Sequence, residues 1–334
     1  MTIRIAIIGA GIMGADHARI FATELPGVRL QVLCDAATDR AKSLADQLGA
    51  QDVVSNPEAA ILRDDVDAVV IASPDHTHAA LTLTAINAGK PVLCEKPLSP
   101  NMDECIQVMK AEEALGRQMV QLGFMRRFDP SYSDMKLALT DGTLGQALMM
   151  HNFHRNVDTP PTGFEASMAI TSSACHEFDV ARFVLGTEFK SITAFAPAGV
   201  AGKVGPVFMV LETVDDQIVN IEVNNNATYG YDVRGELVGE KGSVFLNTPV
   251  TSKYNLAFKG YESYPADWRK RFSEAYRLQN KDFLQFVRCG KTSAAASDAW
   301  DGYCSTAVAE AGVAALASGQ KTAVSLIEKP AFYK

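Results

Sequence analysis

Six residues, Gly9-Ala10-Gly11-Ile12-Met13-Gly14, constrain the fold of this chain more than any other stretch. They follow the apolar run of residues 3–8 and open a helical pattern over about 13–24. In a G-x-G-x-x-G of this placement the first glycine permits a tight turn, the second leaves backbone bare for a pyrophosphate, and the third lets helix and strand pack closely. The helix N-terminus adds N–H donors and a positive dipole. Glycines alone also make an ordinary strand-to-helix turn. Asp35 narrows the reading, because it ends a second apolar run 21 residues after Gly14, where a carboxylate accepts hydrogen bonds from an adenosine ribose diol. A 2′-phosphate beside Asp35 would be repelled, and Ala36, Ala37 and Thr38 offer no cation, so the expected cofactor is NAD rather than NADP. Gly9, Gly11, Ile12, Met13, Gly14 and Asp35 are its expected contacts.

Short apolar runs and longer helical patterns alternate as far as residue 122, the signature of successive strand-helix units. Strands are expected at 3–8, 30–34, 68–72, 92–94 and 119–122, with helices at about 13–24, 38–48, 76–88 and 101–115. Residues 5–8 and 68–72 are apolar at every position, as in strands covered on both faces, which predicts a doubly wound parallel sheet. Such a sheet holds ligands at the carboxyl ends of its strands. Ser73-Pro74-Asp75-His76-Thr77-His78 and Cys94-Glu95-Lys96-Pro97 both stand there, which adds Ser73, Pro74, His78, Glu95 and Lys96 to the expected cofactor contacts. His76 and His78 read as the first turn of a surface helix; with no third ligand nearby, no metal is expected.

Beyond residue 123 the pattern changes to period two. In 218–224, Val219, Ile221 and Val223 alternate with Asn220, Glu222 and Asn224, and 232–238 alternates similarly. Gly239-Glu240-Lys241-Gly242 is a turn leading to a further strand at 243–246, so the second part is expected to be a mainly antiparallel sheet with helices, starting near 171, 275 and 298, on one side. A chain of 334 residues has room for two domains, expected at 1–123 for the nucleotide and 124–334 for the substrate. With 31 Lys+Arg against 39 Asp+Glu the formal charge is -8, which disfavours nucleic acid and anionic membranes and favours small-molecule partners. Six cysteines without a C-x-x-C pair suggest neither a zinc site nor a disulfide framework, but reduced thiols in a cytoplasm. There is no signal-peptide pattern at the start, and no apolar run approaches the ~20 residues that span a bilayer.

Two places carry candidate chemistry. Lys96 lies between a buried strand and a proline, at the ligand edge of the sheet. In the helical stretch 171–179, Ser172, His176 and Asp179 fall on one face at i, i+4 and i+7. Oxidising a secondary alcohol requires hydride transfer from carbon and removal of the hydroxyl proton; an imidazole accepts that proton near neutrality and an ammonium stabilises the developing alkoxide. His176 and Lys96 fit these roles, and Asp179 fits a hydrogen bond to a neighbouring hydroxyl or to the imidazole. A core histidine bonded to a carboxylate on its own helix would look the same without the cofactor signal.

On these residues the sequence resembles the glucose-fructose oxidoreductase / inositol dehydrogenase / rhizopine-catabolism family along essentially its whole length. The likeness rests on the glycine motif, Cys94-Glu95-Lys96-Pro97-Leu98, residues 121–129, His154-Arg155-Asn156, His176-Glu177-Phe178-Asp179, Tyr229-Gly230-Tyr231-Asp232 and residues 299–303. The Glu-Lys-Pro segment marks the wide family, whereas Phe124-Met125-Arg126-Arg127 and His154-Arg155-Asn156 are specific to its inositol branch. The resemblance implies a Rossmann domain, a second α/β domain with a large open antiparallel sheet, and a homotetramer formed through those sheets. It implies that Lys96 and His176 are catalytic, that Asp179 binds substrate hydroxyls, and that Arg126, His154 and Tyr231 line the substrate pocket, with Ser172 beside them. The implied reaction is NAD-dependent oxidation of a ring hydroxyl of myo- or scyllo-inositol or a similar cyclic polyol. A pyranose dehydrogenase and a non-catalytic nucleotide-dependent sensor are the alternatives. The chain departs from the family at Ser172, where an aspartate commonly stands; without it a negative charge that favours protonated Lys96 is lost, although a serine still makes one hydrogen bond.

Overall fold

A computed structural model describes residues 2–158, 163–199, 203–247, 250 and 252–334. The first stretch alternates as expected: β1 (Ile3–Ile8), α1 (Ile12–Thr23), β2 (Val28–Cys34), α2 (Thr38–Leu48), β3 (Asp52–Val54), α3 (Pro57–Ile61), β4 (Ala68–Ile71), α4 (His78–Asn87), β5 (Val92–Cys94), α5 (Met102–Leu115) and β6 (Val120–Leu122). Their six strands form one parallel sheet in the order β3-β2-β1-β4-β5-β6, the arrangement of a doubly wound dinucleotide-binding fold. Every residue of β4 is buried, and so are all but Arg4 in β1, because helices cover both faces. Local signals set the helix ends: Asn101 accepts from the Asp103 and Glu104 N–H groups at the start of α5, and Gly116 closes it in the left-handed conformation.

The chain continues through α6 (Pro130–Thr140), β7 (Ala147–Arg155), the single turn α7 (Ala166–Met168), α8 (Cys175–Leu185), β8 (Phe189–Phe195), β9 (Val207–Thr213), β10 (Ile218–Asn224), β11 (Asp232–Gly239), β12 (Gly242–Phe245), β13 (Ser252–Leu256), β14 (Lys259–Ser263), α9 (Trp268–Arg271), α10 (Ser273–Cys289), α11 (Ala299–Ser318) and β15 (Thr322–Ala323). Seven strands form a second sheet in the order β12-β11-β7-β10-β9-β8-β15, antiparallel except for the β10–β7 pair. The expected hairpin is there, Gly239 pairing with Gly242. Inward residues Val219, Ile221 and Val223 are buried, and the outward Asn220, Glu222 and Asn224 are half-buried.

The chain divides into two compact units, 1–128 with 274–306 and 328–334, and 129–273 with 307–327. This differs from a single division at residue 123, which would give the segments around 275–288 and 298 to the second part. The reason is packing: α10 buries Phe283, Leu284 and Phe286, its Asn280 meets His17 of α1 at 3.0 Å, and its Gln279 carbonyl accepts from Gln121 of β6 at 3.3 Å. The last residues return to the same unit, where the Tyr333 hydroxyl donates to the buried Glu112 carboxylate at 2.6 Å. The division falls inside α11, after Thr306.

Candidate functional site

In the first unit the glycine turn is built for close approach. Gly9 has φ +97°, and a Cβ on it would lie 2.4 Å from the Ala72 carbonyl oxygen; one on Gly14 would lie 1.8 Å from the Gly9 carbonyl oxygen. The fold therefore demands both glycines. A Cβ on Gly11 would meet nothing within 4 Å, so that glycine is not needed for the fold and leaves bare backbone facing open space. The space is a cavity of about 740 Å³ lined by Gly9, Gly11, Asp35, Arg40, Ser73 and Pro74 among others. Ile12, at the start of α1, is 60% exposed.

Asp35 closes one side of this cavity and is held in place by backbone. Its Oδ2 accepts from the Ala10 N–H at 2.7 Å and its Oδ1 from the Ala37 N–H at 2.8 Å. Arg40 reaches Oδ1 at 3.4 Å from the first turn of α2. Residues 36–38 indeed carry no cation, but a helix turn brings position 40 back to the carboxylate. A bare backbone at the helix mouth, a cavity along the carboxyl ends of parallel strands and a fixed carboxylate suit a dinucleotide.

The loops after β4 and β5 hold the next candidates. Ser73 Oγ and Thr77 Oγ1 lie 2.6 Å apart, and His76 and Thr77 line the cavity. His78 is buried, not on a helix surface, with Nδ1 2.7 Å from the Pro97 carbonyl and Nε2 2.9 Å from the Ser73 carbonyl. Glu95 is buried too; its Oε1 accepts from Nε2 of the fully buried His17 at 2.9 Å, and its Oε2 from the Lys96 backbone N–H at 3.3 Å. Burial pushes the Glu95 carboxyl up, but His17 and Lys96 outweigh it and hold it below the ordinary range. Gly123 makes the room, since a Cβ there would lie 2.8 Å from the Glu95 carboxyl carbon. Lys96 itself is half-buried, and Arg126 is 1% exposed in the 3-10 turn Met125–Phe128.

The second unit gathers three other candidates. His154, on the inward side of β7, lies 6.4 Å centroid to centroid from His176 of α8 and 6.1 Å from Tyr231, edge to face. The His154 Nδ1–H donates to the Glu177 carboxylate at 3.0 Å, which fixes the tautomer and the orientation of the ring. Glu177 is fully buried beside His176 in sequence, and only the inward histidine on β7 reveals its role. Asp179 is 1% exposed on the same helix. Ser172 does not share the helical spacing of His176 and Asp179: residues Ala169–Ser173 form a π turn, closed by the Ala174 N–H donating to the Ala169 carbonyl at 3.0 Å, and its extra residue per turn breaks the 100° arithmetic. The i, i+3 relation of His176 and Asp179 lies within α8.

Comparison with known proteins places this arrangement. Residues 3–124 match the oxidoreductase family with an NAD-binding Rossmann fold, and residues 132–245 match the GFO/IDH/MocA C-terminal domain. The chain belongs to the GFO/IDH/MocA oxidoreductase family. Its cofactor is NAD. It is 44% identical to inositol 2-dehydrogenase 2 of Saccharopolyspora erythraea over 100% of this chain and 98% of that one. It is 38% identical to an inositol 2-dehydrogenase of Streptomyces avermitilis over 98% and 96%. Among solved structures, a myo-inositol dehydrogenase of Lactobacillus casei in complex with NAD(H) and myo-inositol superposes with a TM-score of 0.94 at 25% identity, covering all of both chains. Among the described residues no helix is long and apolar enough to cross a membrane, and no cluster of three or more His, Cys, Asp or Glu is arranged to hold a metal.

Proposed function

We infer that the protein is an NAD-dependent dehydrogenase of a cyclic polyol, oxidising a ring hydroxyl of an inositol to the ketone. The observation that carries this is the 44% identity, over the whole chain, to an inositol 2-dehydrogenase, in a protein whose first unit carries a dinucleotide cavity and Lys96 and whose second unit carries His176 and Asp179. NAD, when bound, would supply the acceptor for the hydride that leaves the carbinol carbon. The glycine turn and Asp35 hold the nucleotide, with Ser73, Pro74 and the Glu95–Lys96 segment at the same strand ends. His176 takes the hydroxyl proton, the Lys96 ammonium stabilises the alkoxide as it forms, and Asp179 accepts hydrogen bonds from hydroxyls. Arg126, His154 and Tyr231 supply further substrate contacts, and Ser172 takes the place of the family's usual aspartate. The protein works as a homotetramer in the cytoplasm, its open sheet faces meeting; the outward Phe195 and Phe208, 53% and 36% exposed and paired in register, favour that contact.

The test is NADH absorbance with myo-inositol, scyllo-inositol and free hexoses side by side, using soluble cell fraction and purified enzyme. Reduction of NAD with an inositol in preference to the hexoses is expected. His176→Ala should lower kcat by about 10²–10⁴-fold while leaving NAD binding intact, the span of a lost general base. An enzyme inert toward every cyclic polyol overturns the reading.

A further inference from the structure

His78 presents a problem of proton count. Both ring nitrogens face backbone carbonyl oxygens, Nδ1 to Pro97 at 2.7 Å and Nε2 to Ser73 at 2.9 Å, with the residue 1% exposed. A carbonyl oxygen has lone pairs and no proton to give, so each distance is a hydrogen bond only when the nitrogen carries a hydrogen. A neutral imidazole has one N–H. Either tautomer would aim a nitrogen lone pair at a carbonyl lone pair in a buried site, a repulsion that the weak donor of the neighbouring Cys94 thiol offsets only in part. Rotating the ring to place carbons there does not help, because C–H···O contacts settle near 3.3–3.6 Å.

We propose that His78 is a buried imidazolium at and above neutral pH and that it is a positioning residue, clamping the loop after β4 to the loop after β5 and so fixing the backbone that carries Lys96. The two carbonyls stand at the carboxyl ends of adjacent parallel strands, whose Ile71 and Cys94 are in register. One charged ring thus spans the strand ends where the family holds its dinucleotide. Pro97 is the residue next to Lys96, so its carbonyl is the nearest backbone handle on the lysine's far side; on the near side Glu95 is held by His17. Among the described residues, the titratable group that acts on the ring's charge is Cys94 on β5, alongside the two carbonyls. Burial opposes the charge; the Pro97 and Ser73 carbonyls favour it, and with Cys94 as a thiolate beside the ring the imidazole is pushed up to about 10. Hydrogen bonds from an ionised donor are about twice as strong as neutral ones, which is what a clamp between two loops requires.

The charge is measurable without turnover. The chain has six histidines, and nitrogen-15 NMR of histidine-labelled, full-length protein at pH 8.5 distinguishes protonated from bare ring nitrogens. One ring protonated on both nitrogens, and missing from the spectrum of His78→Gln, is the expected result. A wild-type spectrum with no doubly protonated ring overturns the proposal whether or not the variant folds. The positioning role rests on the dehydrogenase reading and is tested separately with His78→Gln, which keeps N–H donors without charge, and His78→Phe, which keeps ring volume without donors. We expect kcat to fall in that order, by about 10²-fold for His78→Phe, with KM for NAD moving less than about threefold, since a misplaced catalytic group costs rate more than binding. His78→Phe with wild-type kcat overturns the clamp. A wild type that oxidises no cyclic polyol overturns the dehydrogenase reading instead, and the spectrum still decides the charge.

Discussion

At the scale of single residues, Asp35 and Arg40 show what a linear reading captures and what it misses. The carboxylate is legible because it ends an apolar strand at a set distance from the glycines. The guanidinium is not, because it returns to Asp35 only when residues 38–40 begin a helix. His78 belongs to the same class: one side of a first helical turn reads as surface until the loop after β5 folds over it. The Asp35–Arg40 pair leads to a prediction about cofactor choice. Asp35→Asn keeps an oxygen for the Ala37 N–H but removes the charge that repels a 2′-phosphate and that accepts from ribose hydroxyls. Arg40, whose side chain is 56% exposed, then stands at the cavity without its carboxylate. A hydrogen bond to a charged group contributes about 1.5–3 kcal/mol, so the ratio of kcat/KM for NADP over NAD should rise about 10²-fold. Adding Arg40→Ala should cancel most of the rise. A ratio unmoved by Asp35→Asn would show that selection lies elsewhere in the cavity.

At the scale of elements, β4 and β5 are readable because burial on both faces makes them apolar throughout, whereas β3 and α3, of three and five residues, are too short to carry a pattern. β7 was hidden for a different reason. Its inward positions include Asn152 and the candidate-site residue His154, polar groups placed where a core strand would carry aliphatics, so the alternation is masked. α10 is amphipathic in sequence, but nothing in its periodicity says which core it covers. Its contact with α1 places Asn280 on His17, and His17 on Glu95. That chain of contacts makes a pH-dependent contribution to stability. Because the folded Glu95 carboxyl ionises below its unfolded value of about 4.3, the unfolded state binds more protons in between, so stability rises with pH through that window. The contribution is complete above about pH 4.3 and is lost as pH falls through the folded value. His17→Ala strands a buried carboxylate, a loss of about 3–5 kcal/mol at pH 7. Urea midpoints of wild type and variant should therefore differ most at pH 7 and converge at low pH. An equal gap at both pH values would mean that only packing was lost.

At the scale of the whole molecule, the outward side of β9 bears on what meets the second sheet. β9, Val207–Thr213, carries Phe208 and Val210 on its outward side as well as Val207, Met209 and Leu211 inward. Its outward side is thus apolar along the first half of the strand, with Glu212 following, so one end of that face resembles a buried strand. In the single chain its outward side is not buried: Phe208 is 36% exposed, and Phe195, its register partner on β8, 53%. Phe245 on β12 and Ile218 on β10 add exposed apolar side chains to the same sheet, at 70% and 44%. Isolated exposed hydrophobics need no explanation, but the adjacent Phe195 and Phe208 make an apolar patch of the kind that favours a partner. A charged pair, Arg155 with Glu222 at 2.7 Å, lies beside Phe208, which stands opposite Glu222. A self-complementary face closes a dimer, and a tetramer carries that contact twice beside a second one, so light scattering should give about four times the 36.0 kDa chain mass for the wild type. Phe208→Glu places a charge in the middle of the face and should lower the mass to dimer or monomer, while the far-ultraviolet spectrum stays that of the wild type because the side chain points away from the core. A variant that keeps the wild-type mass would remove this face from the interface, and a monomeric wild type would remove the tetramer altogether.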